Sequence, residues 1–241
     1  MAEYVDPGLT SREQIRAGQL GRRIPQLLIG LFLFGWSMAM MVESDLGLMP
    51  WDVFHQGVSN YLPLTFGQVV ILVGALVLLL WIPLRQWPGL GTILNVVLIG
   101  LAADLGLRLM PQPDALWAQL LLLVGGIVLN GIAGALYIGV HLGTGPRDGL
   151  SMALNRITGR SVRLLRTSVE VIVLIIGFLL GGTVGIGTVL YAVGIGPLLQ
   201  LFLPIAQIDL TTSEGDPPHT KNRAFSHRNR VANGGKTPEN F

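Results

Sequence analysis

The chain has 241 residues, of which 51% are hydrophobic and only 12% are charged. Soluble globular domains usually carry about 25% charged residues. The composition, with a mean hydropathy of +0.59, therefore argues against an ordinary water-soluble protein. The sequence contains no cysteine, which excludes disulfides, thiolate metal sites and thiol nucleophiles. A formal net charge of +2 and a pI near 9.3 would be compatible with a nucleic-acid partner, but the positions of the basic residues along the chain indicate another role, and no nucleic-acid partner is predicted.

Six apolar stretches predict an all-α membrane protein with about six transmembrane helices. Each is close to the roughly 20 residues that a helix needs to cross the hydrocarbon core of a bilayer. A polar segment at 1–23 precedes them, and the tail at 209–241 is rich in Ser, Pro, Gly, Asn and charge, which predicts disorder. The stretches lie at about 24–43, 65–83, 90–110, 117–140, 164–181 and 186–205.

Lys and Arg residues set the predicted orientation. With six spans, every basic residue except Arg108 falls on the side that holds both termini. By the positive-inside rule, this side is the cytoplasm. We therefore expect a multi-pass protein of the bacterial inner membrane, in contact with membrane lipids and with both termini cytoplasmic.

The sequence also contains an internal repeat. At an offset of 96 positions, Leu46–Asp52 (LGLMPWD) aligns with Leu142–Asp148 (LGTGPRD), and Gly89–Thr92 (GLGT) aligns with Gly185–Thr188 (GIGT). The copies cover 24–110 and 117–205, each with a span, a short helix and two further spans. Because three spans is an odd number, the second copy should enter the membrane from the opposite side, an arrangement typical of secondary transporters.

Two shared motifs carry residues with special backbone properties. Gly ends a helix cheaply, Pro suits the first helical position, and an acid in the first turn faces the positive end of the helix dipole. This pattern predicts a short amphipathic helix after each first span, and leaves open whether it lies in the interface or dips into the membrane. We assign structural roles to Gly47, Pro50, Gly143, Pro146, Gly89, Gly91, Thr92, Gly185, Gly187 and Thr188.

Polar residues within the spans are the candidate site. Glu170 is the clearest, since ionisable groups at membrane depth are costly. One interpretation is an ion pair with Arg166; the other is that Glu170 faces a central cavity and binds a cation or relays a proton. An interhelical hydrogen bond is favoured for Asn130, and Asp104 and Arg108 are spaced as an interfacial pair. The predicted pathway comprises Asp52, Asn95, Asn130, Arg147, Asp148, Arg166 and Glu170.

A second group of residues could hold an anion. Arginine is suited to phosphate or carboxylate, but these arginines could equally set topology and contact anionic lipid. The group comprises Tyr137, Arg147, Asp148, Arg163 and Arg166. None of the four histidines has the spacing of a metal site, so we predict no metal, cofactor or catalytic residue, and no enzyme activity.

The motifs resemble a known family. The stretches LGTGPRDGL, RTSVEV, LLGGTVGIGT and IGPLLQLFL are similar to the YczE-type bacterial membrane proteins, which are related to the YitT group, and PWDVF and WPGLGTILN resemble that family's first half. The resemblance covers about residues 20–205. It implies a multi-pass membrane protein of a kind often described as a transporter, with no assigned substrate.

These observations leave two classes of function open. The preferred one is a secondary transporter or channel for a small molecule or ion, with a pathway between the repeats and a homodimer as one option. The alternative is a membrane scaffold or accessory protein that supports a neighbouring enzyme or export system. The alternative predicts no solvent-accessible polar cavity between the repeats.

Overall fold

A computed structural model describes residues 18–208, so the predicted tail and most of the N-terminal segment lie outside the described range. Every regular element within this range is an α-helix. In chain order the helices are α1 (Leu20–Ser44), α2 (Pro50–Ser59), α3 (Phe66–Trp81), α4 (Leu90–Leu109), α5 (Leu116–Ile138), α6 (Pro146–Thr158), α7 (Val162–Leu179) and α8 (Ile186–Ala206).

Four helices are long and apolar enough to cross a membrane by length and composition, namely α1, α4, α5 and α8. The all-helical prediction is therefore confirmed, with four candidate spans. The other two predicted spans are also helical. However, α3 is short, with 16 residues, and the 18 residues of α7 include Arg163, Arg166 and Glu170.

The core of the molecule is the antiparallel pair α1 and α5. Each helix has a glycine at the contact, so that the backbones approach closely. A Cβ on Gly30 would lie 2.9 Å from Tyr137 N, and a Cβ on Gly126 would lie 3.1 Å from Ser37 O. These glycines occupy equivalent positions, 96 residues apart, and the pairing of early residues with late ones fixes the antiparallel direction.

The first turn of α1 is tied to the last turns of α5 and α8. Arg23 is fully buried and donates from Nε to Val140 O at 2.8 Å and from Nη2 to His141 O at 3.0 Å. Gln26 Nε2 donates to Ala206 O at 2.6 Å. The carbonyls at a helix C-terminus lack intrahelical hydrogen-bond donors, and the side chains of Arg23 and Gln26 act as donors to them. Arg23 therefore has a structural role within the protein, in addition to its contribution to the charge bias that predicts membrane orientation.

The short helices α2 and α6 begin as the motif predicts. Gly47 and Gly143 have φ values of 113° and 125°, a conformation that residues with a Cβ rarely adopt. Pro50 and Pro146 are the first helical residues. The chain therefore turns sharply after each long first helix and starts a new one within a few residues.

The two copies exchange reciprocal backbone hydrogen bonds. Gly91 N donates to Leu142 O, and the equivalent Gly187 N donates to Leu46 O, both at 2.8 Å. Each bond joins the start of one copy's last helix to the glycine turn of the other copy. The glycines of both motifs therefore lie where two backbones meet, and a side chain there would separate them.

The threonines of the second motif support the same junctions. Thr92 Oγ1 accepts from Gly89 N at 3.2 Å, and Thr188 Oγ1 accepts from Gly185 N at 3.3 Å. Thr92 Oγ1 also donates to Thr144 O of the other copy at 2.7 Å. Both threonines are buried.

The last two helices of each copy pack differently. In the first copy α3 lies against α4, and a Cβ on either Gly67 or Gly100 would overlap the other residue's carbonyl oxygen. In the second copy α7 and α8 scarcely touch. A Cβ on Gly196, the equivalent of Gly100, would meet nothing within 4 Å in the described part of the chain. The second copy is therefore open between α7 and α8.

Candidate functional site

A chain of charged side chains links α5, α6 and α7. Tyr137 OH donates to Asp148 Oδ2 at 3.0 Å, and Arg166 Nη1 lies 3.4 Å from Asp148 Oδ1. Arg166 Nε donates to Glu170 Oε1 at 3.0 Å. The predicted ion pair is therefore present, and Asp148 extends it. The side chains of Arg166, Glu170 and Asp148 are 50%, 35% and 34% exposed. This row of charged residues therefore borders open space.

A second group surrounds Asp52 on α2. Asp52 is fully buried, and its Oδ1 lies 3.2 Å from His55 Nδ1 and 3.9 Å from Arg147 Nη2 of α6. The Arg147 guanidinium lies 5.0 Å from the ring centroid of Trp51, a cation–π distance. Trp51 and Arg147 are equivalent positions of the two copies. The two Gly-x-x-Pro-x-Asp motifs therefore contact each other through the residue that follows the proline in each copy.

One carboxylate oxygen of Asp52 has no hydrogen-bond partner in this group. Asp52 Oδ2 is buried and has no hydrogen-bond partner within residues 18–208. His55 is itself buried, and burial disfavours the charged form of an imidazole. The Oδ1 atom of Asp52 therefore has an imidazole at 3.2 Å and a guanidinium at 3.9 Å beside it, whereas Oδ2 has no partner among the described residues.

A third set of hydrogen bonds joins α1, α5 and α8. Asn130 Nδ2 donates to Ser37 Oγ at 2.8 Å, and Tyr191 OH donates to Asn130 Oδ1 at 3.0 Å. The interhelical bond predicted for Asn130 is confirmed. Tyr191 also packs against the hydrophobic clusters that include Tyr137 and Val53, so this set adjoins the other two.

We refer to these residues together as the polar cluster. It unites six of the seven residues that the sequence placed on a pathway, although their roles stay predictions. The seventh, Asn95, lies beside it, with Nδ2 at 3.7 Å from a Cβ placed on Gly145. The polar cluster comprises Asp52, His55, Asn130, Tyr137, Arg147, Asp148, Arg166, Glu170 and Tyr191.

Two further charged residues take other positions. Asp104 caps the start of α3 by accepting from Gly67 N at 2.7 Å and from the Thr65 hydroxyl. The predicted pair with Arg108 is therefore wrong, because the free N–H groups of a helix start are the stronger attraction. Arg163, which we had grouped with the anion site, is exposed on α7.

Sequence reasoning missed His55, Tyr191 and Trp51. His55 follows Asp52 by three residues on a helix, a spacing that places two side chains on one face, and this signal was available. The repeat offers a signal for the other two, since Trp51 and Tyr191 align with the predicted pathway residues Arg147 and Asn95.

The charges of the polar cluster do not cancel. Three carboxylates (Asp52, Asp148 and Glu170) face two guanidiniums (Arg147 and Arg166), and His55 is neutral. The arrangement therefore favours a bound cation over a bound anion. No group of three or more His, Cys, Asp or Glu suitable for a metal ion occurs in the described range.

Comparison with known proteins decides the family. Residues 21–204 match the family described as "Family of unknown function (DUF6198)". The chain belongs to this family. It is 39% identical over 184 residues to an "Uncharacterized protein" of Haemophilus influenzae, covering 76% of this chain and 84% of that one. No solved structure matches the chain.

Two relatives from Bacillus subtilis connect this family with YczE. The chain is 34% identical over 177 residues to "Uncharacterized membrane protein YczE", covering 73% of this chain and 82% of that one. It is 27% identical over 183 residues to "Uncharacterized protein YyaS", with coverage of 74% and 91%. The predicted resemblance to YczE is confirmed, and the chain is a helical membrane protein of the DUF6198 family.

Proposed function

We propose that this DUF6198 protein crosses the inner membrane six times as two inverted repeats, with both termini in the cytoplasm. In this arrangement α1, α3, α4, α5, α7 and α8 are the spans. The antiparallel α1–α5 pair and the reciprocal Gly91–Leu142 and Gly187–Leu46 bonds support it. Every loop contact described above then joins segments on the same side of the membrane, as with Arg23 and Val140.

The contact between α2 and α6 carries the functional proposal. In the six-span arrangement these helices enter from opposite faces of a bilayer whose hydrocarbon core is about 30 Å thick. Helices lying in the two interfaces could not meet, yet Asp52 and Arg147 are 3.9 Å apart. Both short helices are therefore re-entrant, with their N-termini inside the membrane. Broken helices that end near the midplane are typical of substrate sites in transporters.

We infer that the protein is a secondary transporter or channel whose pathway runs along the polar cluster. Partly exposed charges at membrane depth are stable only beside water, a substrate or another protein. The opening between α7 and α8 gives Arg166, Glu170 and Asp148 that access. The re-entrant helices supply fixed dipoles and charges on the opposite wall.

A scaffold or accessory role is the alternative, and one observation favours it. The uncovered Gly196 face of α8 would accept a helix of another protein, since small residues permit close helix packing in membranes. In that case the opening holds protein instead of water.

Cysteine labelling distinguishes these two functions, because the chain has no native cysteine. Arg166→Cys and its equivalent Val70→Cys are compared with a membrane-impermeant thiol reagent in sealed vesicles of both orientations. A water-filled pathway predicts fast reaction of Arg166→Cys and slow reaction of Val70→Cys, which lies at a buried position. Equal protection of both variants, in an extract where partners remain bound, would favour the scaffold.

A second pair of variants tests the inversion itself. Leu62 and Thr158 are exposed, equivalent positions; Thr158 is the last residue of α6, and Leu62 lies in the loop after α2. Inverted repeats predict that Leu62→Cys reacts with the impermeant reagent in intact cells and that Thr158→Cys reacts only after lysis. Equal labelling of both in intact cells would exclude the inverted arrangement and, with it, the re-entrant helices.

A further inference from the structure

We infer that Asp52 is the binding site for a single monovalent cation, which the pathway uses as its coupling ion. This inference rests on the proposed function and assigns the ion to one residue. It starts from Asp52 Oδ2, which is buried and without a hydrogen-bond partner among the described residues. An ionised carboxylate oxygen can only accept, so a hydrogen-bond donor or a cation completes it and an anion cannot.

The two copies explain why this oxygen is free. Asp148, the equivalent residue, has both oxygens occupied, by Tyr137 and by Arg166. The positions equivalent to these two partners are Met41 and Val70, which are apolar and buried. The first copy therefore keeps the carboxylate of the motif but lacks both of its partners.

The groups that face Asp52 set the charge of the ligand. On α2 itself His55 is neutral, α3 presents the apolar ring of Phe66 to His55, and α8 presents the neutral Tyr191. From α6, Arg147 lies 3.9 Å from the occupied oxygen, and on α7 Arg166 is already shared between Asp148 and Glu170. One unit of positive charge balances the cluster, whereas a divalent ion would leave it with a net positive charge.

A proton and Na⁺ are the two forms of this ligand that are tested here. The full-length protein is purified in detergent, and its Tm is measured in NaCl against N-methylglucamine chloride at equal ionic strength, and then across a pH series without Na⁺. Proton release into a weakly buffered solution is recorded when Na⁺ is added. Ligands that bind only the folded state raise its stability.

We expect a Tm rise of several degrees with Na⁺ if the ion is a metal cation, with proton release where Na⁺ displaces a proton held by Asp52. A pH-dependent Tm alone is expected if it is a proton. Asp52→Asn should lose whichever response the wild type shows. Asp104→Asn, which alters a capped carboxylate at the start of α3, should retain it.

Retention of the full response by Asp52→Asn, or absence of any response in the wild type, would overturn the inference. Where Asp52→Asn does not fold, His55→Gln replaces it. This variant leaves the carboxylate but changes its nearest neighbour, so the midpoint of the Na⁺ or pH response must move. An unchanged midpoint would also overturn the inference. The labelling of Arg166→Cys does not depend on Asp52, so a pathway without this ion site remains distinguishable.

Discussion

The α3–α4 pair of the first copy and the α7–α8 pair of the second occupy equivalent positions but pack in opposite ways. In the first pair Gly67 and Gly74 lie against α4, where a Cβ on Gly74 would contact Val96 at 3.1 Å. Their equivalents on α7 are Arg163 and Glu170. The glycines that permit the closed contact of α3 with α4 are thus replaced by charged residues on α7, where the contact with α8 is open.

The same contrast holds at the aspartates. Asp148 lies in the open copy and is fully partnered, whereas Asp52 lies in the closed copy and retains an orphaned oxygen. In the proposed transporter, divergence of the copies would separate access from binding. The second copy provides the opening, and the first provides a buried acceptor that the opening could serve.

The difference in packing gives the largest expected effect on stability. Gly100→Ala places a methyl group against the Gly67 carbonyl and Ile71, and overpacking of this kind costs about 1–3 kcal/mol. Gly196→Ala meets open space and should be neutral or slightly stabilising, since Ala favours helices over Gly. Thermal unfolding of the two purified variants measures the contrast, and equal losses would mean that α7 and α8 are packed after all.

Asn130→Leu should produce the next largest effect. It removes two interhelical hydrogen bonds, to Ser37 and from Tyr191, at about 0.6–1 kcal/mol each. The double variant Asn130→Leu with Tyr191→Phe shows whether the bonds are coupled. If Tyr191→Phe costs as much in the Asn130→Leu background as alone, the two residues do not interact.

Tyr137→Phe should cost less, about 0.5–1 kcal/mol, because Asp148 keeps Arg166 and contact with open space when the hydroxyl is lost. Its equivalent Met41 has no polar contact to lose, so Met41→Leu is the matched control and should cost less than about 1.5 kcal/mol through packing alone. Chemical denaturation in mixed micelles reports both values. A larger loss for Tyr137→Phe than for Asn130→Leu would contradict this order.

Glu170→Gln should have the smallest effect on stability and the largest on function. An exposed ion pair contributes about 0–1 kcal/mol, so expression and membrane insertion should stay near wild type. Transport of a substrate found by thermal-stabilisation screening should be abolished. Failure of the variant to accumulate in the membrane would instead assign Glu170 a structural role.

Much of the fold follows from local sequence signals. Gly47, Pro50 and their equivalents predict the turns and the starts of α2 and α6, because positive φ and a missing N–H are properties of single residues. The apolar runs predict the long helices for a similar reason. Six pathway residues also proved to be neighbours, since the repeat places both motifs at equivalent points of one fold.

Contacts between distant helices could not be predicted in this way. The burial of Arg23 depends on carbonyls 117 residues away, and an Arg at the start of a span looks the same in sequence whether it faces lipid or protein. The oxygen of Asp52 has no partner because Met41 and Val70, the equivalents of Tyr137 and Arg166, carry no polar atom that could donate to it. Such features require the packing of several helices to be known together.

The ties at Arg23 and Gln26 limit how this protein can change shape. They hold the start of α1 to the ends of α5 and α8 through four side-chain hydrogen bonds. A rocking motion between the copies about the α1–α5 contact would have to break all of them at once. Swinging α7 would keep these bonds, but α7 packs backbone to backbone on α2 at Gly57 and Gly177. In the proposed transporter, alternating exposure of the two membrane faces would therefore move α2 and α7 as a unit, with hinges in the loops that flank these two helices.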